Sequence, residues 1–195
     1  MKTNNEMVTG QRTTAMFTAK KLVFSAMAIA LATVIATVIK LPSLPNGGSV
    51  TLFSMLVVTL VGYWYGPAVG ITASVTYGIL QFITEPYAIH PIQVLLDYPV
   101  AFGALGFSGF FSKSKHGLVK GYIAAVVGRF FFSSVSGLIF FTTYVEVLSD
   151  NLVAIWASLV YNMTYLVPEA LLTIVLLMVP GVRNALARLK EMAEA

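Results

Sequence analysis

Three ionisable side chains lie within long apolar stretches of this sequence, and they are the first candidates for chemistry. Asp97, Arg129 and Glu169 each fall in a segment long enough to cross a bilayer, where a charge costs about 2.5–3.5 kcal/mol on insertion scales. Such charges face the interior of a helix bundle, where they pair with one another or mark a ligand path. Arg129 and Glu169 are both predicted near mid-bilayer, which favours a structural ion pair between them. Pairing of Arg129 with Asp97 is the alternative.

Asp97 and Asn162, unlike Arg129 and Glu169, are candidates for contact with a ligand. Asp97 is predicted near the outer end of its span, beside Tyr98, and this shallower position favours contact with a ligand. Asn162 is a polar amide about one-third along the last span. It either forms an interhelical hydrogen bond, worth about 0.6–2 kcal/mol, or contacts a ligand, and the sequence leaves both open.

The motifs of common enzymes are missing from the sequence. It contains no cysteine, no P-loop, no HExxH and no GxSxG. An intramembrane enzyme built on Asp97, Arg129 and Glu169 would need a nucleophile or a metal set that is not evident, so we expect no enzyme, no metal and no cofactor. The short chain also shows no inverted repeat of the kind found in secondary transporters. These features favour a substrate-capturing subunit that depends on other proteins.

The composition requires a membrane protein. Of 195 residues, 57% are hydrophobic and only 10% are charged, where a soluble domain carries about 25% charged residues. A membrane-spanning helix needs about 20 residues. The apolar runs then predict an all-α protein with six transmembrane helices, at about residues 22–39, 51–65, 67–84, 91–111, 118–141 and 153–179.

Three regions follow from these spans. Residues 1–21 form an N-terminal segment, 22–180 the six-helix domain and 181–195 a C-terminal amphipathic tail. Six crossings place both ends on one side, and that side collects most of the cations. The positive-inside rule therefore predicts a multi-pass protein of the cell membrane with both termini in the cytoplasm. Because orientation explains the basic charge, nucleic-acid binding is not expected. Irregular outward loops would cap an external pocket.

Small residues on the first helix have two possible roles. Ala28, Ala32 and Ala36 repeat every four residues, as do Ala26 and Ala30. Such a stripe allows another helix to approach closely. It either packs within the bundle or serves as a docking face for a separate membrane subunit.

Five short segments together resemble one family, the thiamine-specific substrate-binding (S) components of energy-coupling factor (ECF) transporters. They are residues 47–52 (Gly-Gly-Ser-Val-Thr-Leu), 63–67 (Tyr-Trp-Tyr-Gly-Pro), 90–99 (His-Pro-Ile-Gln-Val-Leu-Leu-Asp-Tyr-Pro), 128–129 with Gly137, and 158–162 (Ser-Leu-Val-Tyr-Asn). The resemblance implies a six-helix protein that captures thiamine from outside. It also implies two kinds of partner, a membrane coupling subunit that meets the alanine stripe and two cytoplasmic ATPases.

The resemblance also implies a binding site. Asp97 and Tyr98 match a carboxylate–tyrosine pair whose carboxylate binds the aminopyrimidine, and Asn162 matches an asparagine that contacts the same ring. Ser133 and Phe141 stand where some members have histidine and a stacking tryptophan, and Ala157 replaces a tyrosine. The predicted substrate-binding residues are Asp97, Tyr98, Asn162, Tyr87, Gly137, Phe141, Ser133, Gln93 and Glu85.

Thiamine suits these residue types chemically. Its thiazolium is a permanent cation, which aromatic faces attract by about 0.5–2 kcal/mol and which Asp97 or Glu85 would neutralise. A related ligand, such as a hydroxymethyl pyrimidine or pyridoxine, is the alternative within the same architecture.

Overall fold

The computed structural model describes residues 18–39, 48–88, 90–144 and 151–195, with the backbone alone for 141–144 and 151. Most of the predicted segment 1–21 therefore lies outside the described residues. The described chain folds into α1 (Ala19–Val38), α2 (Ser54–Tyr65), α3 (Pro67–Thr84), α4 (Pro91–Phe111), α5 (Gly117–Tyr144), α6 (Asn151–Met178) and α7 (Pro180–Glu194). The predicted all-α membrane class is confirmed.

Five of these helices, α1 and α3 to α6, are long and apolar enough to cross a membrane. The predicted bounds of α3 and α4 match the structure. The break between α2 and α3 falls at Gly66. Its φ is 87°, a value that glycine adopts without strain. Pro67 then occupies the first turn of α3, where its missing N–H costs nothing.

The second apolar helix is shorter than predicted. Instead of starting near residue 51, α2 starts at Ser54 and has 12 residues. Non-helical residues 48–53 precede it, and Phe53 has a left-handed φ of 70°. Non-helical backbone is tolerated at membrane depth only where it is buried in protein or lines a cavity. This segment therefore needs polar partners inside the bundle.

Glu169 of α6 supplies those partners. Its carboxylate accepts hydrogen bonds from the Met55 backbone N–H at 3.1 Å, from Thr51 Oγ1 at 3.0 Å and from Ser54 Oγ at 3.4 Å. Only 1% of the Glu169 residue surface is exposed. An anion at a helix N-terminus satisfies free N–H groups and interacts favourably with the helix dipole. Glu169 is thus the distant cap of α2.

The fourth helix is irregular along most of its length. It opens with an α-helical turn, changes to a π-helix over Leu96–Val100, and continues as a 3₁₀-helix over Ala104–Phe111. Pro99 lies within the π-helical part, and because proline has no N–H it removes one helical hydrogen bond. Asp97 and Tyr98 are therefore presented from a widened turn.

Glycines permit the 3₁₀ part of α4 to lie directly against α2 and α3. A Cβ added to Gly106 would meet the backbone of Gly70 and Ile71 at 2.5 Å or less, and one added to Gly62 would meet the Gly106 carbonyl at 3.0 Å. No side chain fits between these backbones. This contact fixes the positions of α2, α3 and α4 relative to one another.

Substitution of Gly106 by alanine should therefore destabilise the protein by about 1–3 kcal/mol, the usual cost of overpacking. The measurement is unfolding in detergent, compared with the parent. Gly181→Ala is the matched control, because nothing lies within 4 Å of a Cβ there, and it should leave stability unchanged. Equal stability of the two variants would contradict the close packing.

The alanine stripe of α1 packs within the bundle. Ala28, Ala32 and Ala36 are 6%, 0% and 4% exposed, and α1 lies against α2 and α3. Partner contact through these three side chains is contradicted by their burial. The second set, Ala26 and Ala30, is exposed. The rest of that outward face carries larger apolar residues, namely Leu22, Met27, Leu31, Val34 and Val38.

Candidate ligand-binding site

A cavity of about 150 Å³ lies in one end of the bundle. Its walls come from α1, α3, α4, α5 and α6, and residues 48–51 and 85–87 contribute from the connecting segments. Eight of the nine predicted binding residues line it: Asp97, Tyr98, Asn162, Tyr87, Gly137, Ser133, Gln93 and Glu85. The side chain of Phe141 lies outside the described residues. The neighbouring Phe140 lines the cavity, with its ring stacked on His90 at 5.6 Å between centroids.

Asp97 brings a carboxylate to the cavity wall. It forms no ion pair within 4.0 Å among the residues that the structure describes. Gln93, one helical turn earlier, and Ser136 of α5 are its polar neighbours. The Ser136 hydroxyl is buried and has no hydrogen-bond partner in the described structure. Asp97 therefore lies beside polar groups at the cavity wall, and no described cation pairs with its carboxylate directly.

Arg129 also lines the cavity, but the predicted ion pair with Glu169 is wrong. The Arg129 guanidinium carbon lies 3.9 Å from the centre of the Phe102 ring, a cation–π contact. Within the described part of the chain it has no carboxylate within 4.0 Å, and its Nε has no hydrogen-bond partner. Its charge still favours the carboxylates of both Asp97 and Glu169 at longer range. The direct pair is absent because Glu169 is engaged by α2.

Asn162 is 3% exposed and lines the cavity. Its Nδ2 donates to the Ser158 carbonyl at 2.9 Å, and its Oδ1 accepts from the Tyr165 hydroxyl at 2.5 Å. Both partners belong to α6, so the interhelical bond considered from the sequence is not the one formed. The two bonds fix the orientation of the amide. One N–H and one lone pair remain for another partner.

Tyr98 ties the α3–α4 connection to the bundle. Its hydroxyl donates to the Glu85 carbonyl at 2.9 Å and accepts from the Tyr87 N–H at 3.0 Å. Its ring packs edge-on against Phe82 at 5.1 Å. Because the hydroxyl is committed to the loop, Tyr98 offers the cavity its ring. Glu85 and Tyr87 lie at the exposed rim.

Tyr161 makes a similar contact on the other side of the cavity. The Gly48 N–H donates to the Tyr161 hydroxyl at 2.7 Å. A Cβ at Gly48 would lie 2.8 Å from that hydroxyl oxygen and 2.8 Å from a ring carbon of Tyr165. A side chain at residue 48 would therefore displace the Tyr161 and Tyr165 rings, so glycine allows the chain to approach α6 this closely.

Several lining residues were not predicted from the sequence. They are Ala36, Gly48, Ser49, Thr51, Tyr77, Gln81, Phe102, Phe140, Tyr161 and Tyr165, together with Arg129 in a lining role. The sequence held a weak indication of some of them. Tyr77 and Gln81 are four residues apart, as are Tyr161 and Tyr165, and residues at that spacing share a helix face. The Gln81 Nε2 donates a hydrogen bond to the Tyr77 hydroxyl oxygen. Such spacing is ordinary in apolar helices, which is why it was not distinctive.

The cavity combines two carboxylates, Asp97 on the wall and Glu85 at the rim, and one guanidinium with a fixed amide and several aromatic rings. No group of three metal-binding side chains occurs among the described residues. A multi-helix membrane protein with a polar and aromatic cavity at one end belongs to the class of small-molecule-binding membrane proteins.

Comparison with known proteins specifies the family. The model of the family described as thiamine transporter protein (Thia_YuaJ) matches residues 22–188, and the chain belongs to that family. The thiamine transporter ThiT of Bacillus subtilis strain 168 is 35% identical over 150 residues, which cover 69% of this chain and 76% of that relative. A solved structure of ThiT from Listeria monocytogenes has a TM-score of 0.59 at 22% identity, covering 84% of this chain and 94% of that one.

These findings confirm the expected class of function. The family is a transporter family and not an enzyme family. The structural match supports the same helical fold. The chain is a multi-pass membrane protein.

Proposed function

We propose that this protein is the substrate-capturing S-component of an ECF importer and that it binds thiamine in the cavity. The observation that carries the proposal is the Asp97 carboxylate, which lies on the cavity wall with no ion-pair partner among the described residues. An anion within a membrane span is costly when it has no direct counter-ion, even where it is only partly buried. A cationic ligand beside it removes that cost. Thiamine, which the curated relative is named for, carries a permanent cation and a hydrogen-bonding ring.

Recognition would use two kinds of contact. Asp97 and Asn162 face the same cavity, and a carboxylate with an amide can accept and donate hydrogen bonds to an aminopyrimidine. The rings of Tyr87, Phe140 and Tyr161 offer faces for the thiazolium, each worth about 0.5–2 kcal/mol. Ser133, also on the wall, would supply a hydroxyl in place of the histidine that some S-components carry.

Orientation and partners are part of the proposal. The exposed cations Lys113, Lys115 and Lys120 lie in and after the α4–α5 connection, at the opposite end of α4 from Glu85 and the cavity rim. By the positive-inside rule this end is cytoplasmic, as are both termini, and the cavity opens outward across the cell membrane. A membrane coupling subunit and two cytoplasmic ATPases would then energise uptake. The exposed Ala26 and Ala30 of α1 would form the coupling face.

Titration calorimetry of the purified protein tests the ligand. Thiamine, the free hydroxymethyl pyrimidine and pyridoxine should bind in that order, because only thiamine offers both the cation and the aminopyrimidine. Tightest binding of pyridoxine would replace thiamine as the ligand while retaining the site. Absence of binding by all three would reject the proposal.

Removal of the Tyr161 hydroxyl should accelerate release of thiamine. Tyr161→Phe keeps the ring but loses the hydrogen bond from Gly48, so the segment at 48–53 closes the cavity less firmly. A neutral hydrogen bond is worth about 0.5–1.5 kcal/mol, so we expect roughly a two- to tenfold faster off-rate. Stopped-flow fluorescence measures it. Tyr63→Phe, outside the cavity lining, is the control, and an unchanged off-rate in Tyr161→Phe would contradict the closing role.

A further inference from the structure

The last helix, α7, lies across the end of the bundle opposite the cavity. The Lys190 ammonium donates to the Ser112 carbonyl at 2.9 Å and lies 4.0 Å from the centre of the Tyr63 ring. The Tyr65 hydroxyl donates to the Ala193 carbonyl at 3.2 Å. These contacts hold α7 to α2 and to the α4–α5 connection. The helix therefore has a defined orientation relative to the bundle.

Only half of the apolar face of α7 is used in this packing. Leu186 packs against the core, and Ala193 is 2% exposed. Leu189 and Met192 lie on the adjacent flank and are 36% and 53% exposed. At about 100° per residue, Arg188 borders this flank on its outer side. An amphipathic helix with an open apolar flank and a bordering cation has the pattern of helices that lie in a membrane interface.

Two observations indicate what covers the flank. The lipid-facing surface of α6 continues to it, since Val175 and Met178 at the end of that span are 62% and 71% exposed and α7 begins two residues later. The same end of the molecule carries a cluster of exposed cations. They are Lys113, Lys115, Lys120, Arg183 and Arg188. The charge complements anionic lipid headgroups.

We propose that α7 is a lipid-binding element whose flank of Leu189 and Met192 inserts into the membrane interface and whose cations bind anionic headgroups. This surface is separate from the cavity, so the inference does not depend on the ligand. Docked in this way, α7 fixes the height of the bundle end in the leaflet.

A single fluorescent label tests the proposal in the full chain. The sequence has no cysteine, so Met192→Cys gives a unique site for an environment-sensitive dye. Ala187→Cys, on the exposed polar side of the same helix, is the matched control. Both labelled proteins are placed in nanodiscs of phosphatidylcholine alone or with phosphatidylglycerol.

We expect the label at 192 to shift to shorter wavelength and brighten about twofold when phosphatidylglycerol is present. The label at 187 should stay water-exposed in both lipids. Adding Arg183→Gln and Arg188→Gln, or high salt, should remove the gain at 192. A label at 192 that remains as water-exposed as the one at 187 would overturn the proposal. So would an equal shift in neutral lipid, because headgroup charge would then have no part.

Discussion

Replacement of Asp97 by asparagine is expected to weaken thiamine binding by between about 10-fold and 1,000-fold. The change keeps the side-chain shape but removes the anion that would face the thiazolium cation and accept from the aminopyrimidine. Loss of one partner of a desolvated, charged hydrogen bond is costly because the other partner stays buried without it. Titration calorimetry with purified protein in one detergent gives the affinity directly.

The matched control is Glu85→Gln, which removes the same charge from the exposed rim of the same cavity. Solvent screens a rim charge, so we expect a change of no more than about threefold, and one that disappears at high salt. Unfolding of ligand-free Asp97→Asn must be measured too, since Arg129 loses a favourable neighbour. Parent-like thiamine affinity in a folded Asp97→Asn protein would refute the assignment of the site.

The second large effect concerns stability. Glu169→Ala should destabilise the protein by about 3–5 kcal/mol, because the Met55 N–H and two hydroxyls lose their shared acceptor in a buried site. The start of α2 and residues 48–53 depend on that acceptor. Since this segment lines the cavity, thiamine binding should weaken in parallel. Detergent unfolding and calorimetry on the same sample provide both measurements.

Two controls separate capping from charge in general. Glu169→Gln keeps an acceptor oxygen for the Met55 N–H and should recover part of the lost stability. Glu191→Ala removes an exposed carboxylate of α7 and should have little effect, as surface charges generally do. If Glu169→Ala were as stable as the parent, the carboxylate would not be the cap of α2.

Two of the site residues were predicted from the sequence because a polar group within an apolar span is a strong signal. Asp97 and Asn162 stand out against their neighbours, and both line the cavity. Tyr87 and Gly137 were predicted from the resemblance to the thiamine-specific S-components, and Glu85 was predicted as an acid that would neutralise a cationic ligand. Tyr77 and Phe102 gave no comparable signal, since aromatic residues are expected anywhere in a membrane helix.

The partner of a buried charge was harder to predict. Similar depth and opposite sign favoured an Arg129–Glu169 pair, yet Glu169 binds the start of α2 and Arg129 lies over Phe102. Depth along a helix gives one coordinate only. Rotation about the helix axis and the exact starting residue of α2 decide which atoms meet. The pattern of apolar residues determines neither.

The amino-acid sequence by itself determined the membrane class, the apolar helices, the break at Gly66 and the presence of an acid and an amide in the spans. These follow from local properties, namely apolar length, turn formers and the cost of burying charge. The tertiary structure decided that Ala28, Ala32 and Ala36 face inward while Ala26 and Ala30 face outward, and that Glu169 caps α2. It also decided that the Tyr98 hydroxyl holds a loop. Those outcomes depend on how each helix is rotated against its neighbours, which is set by packing over the whole bundle at once.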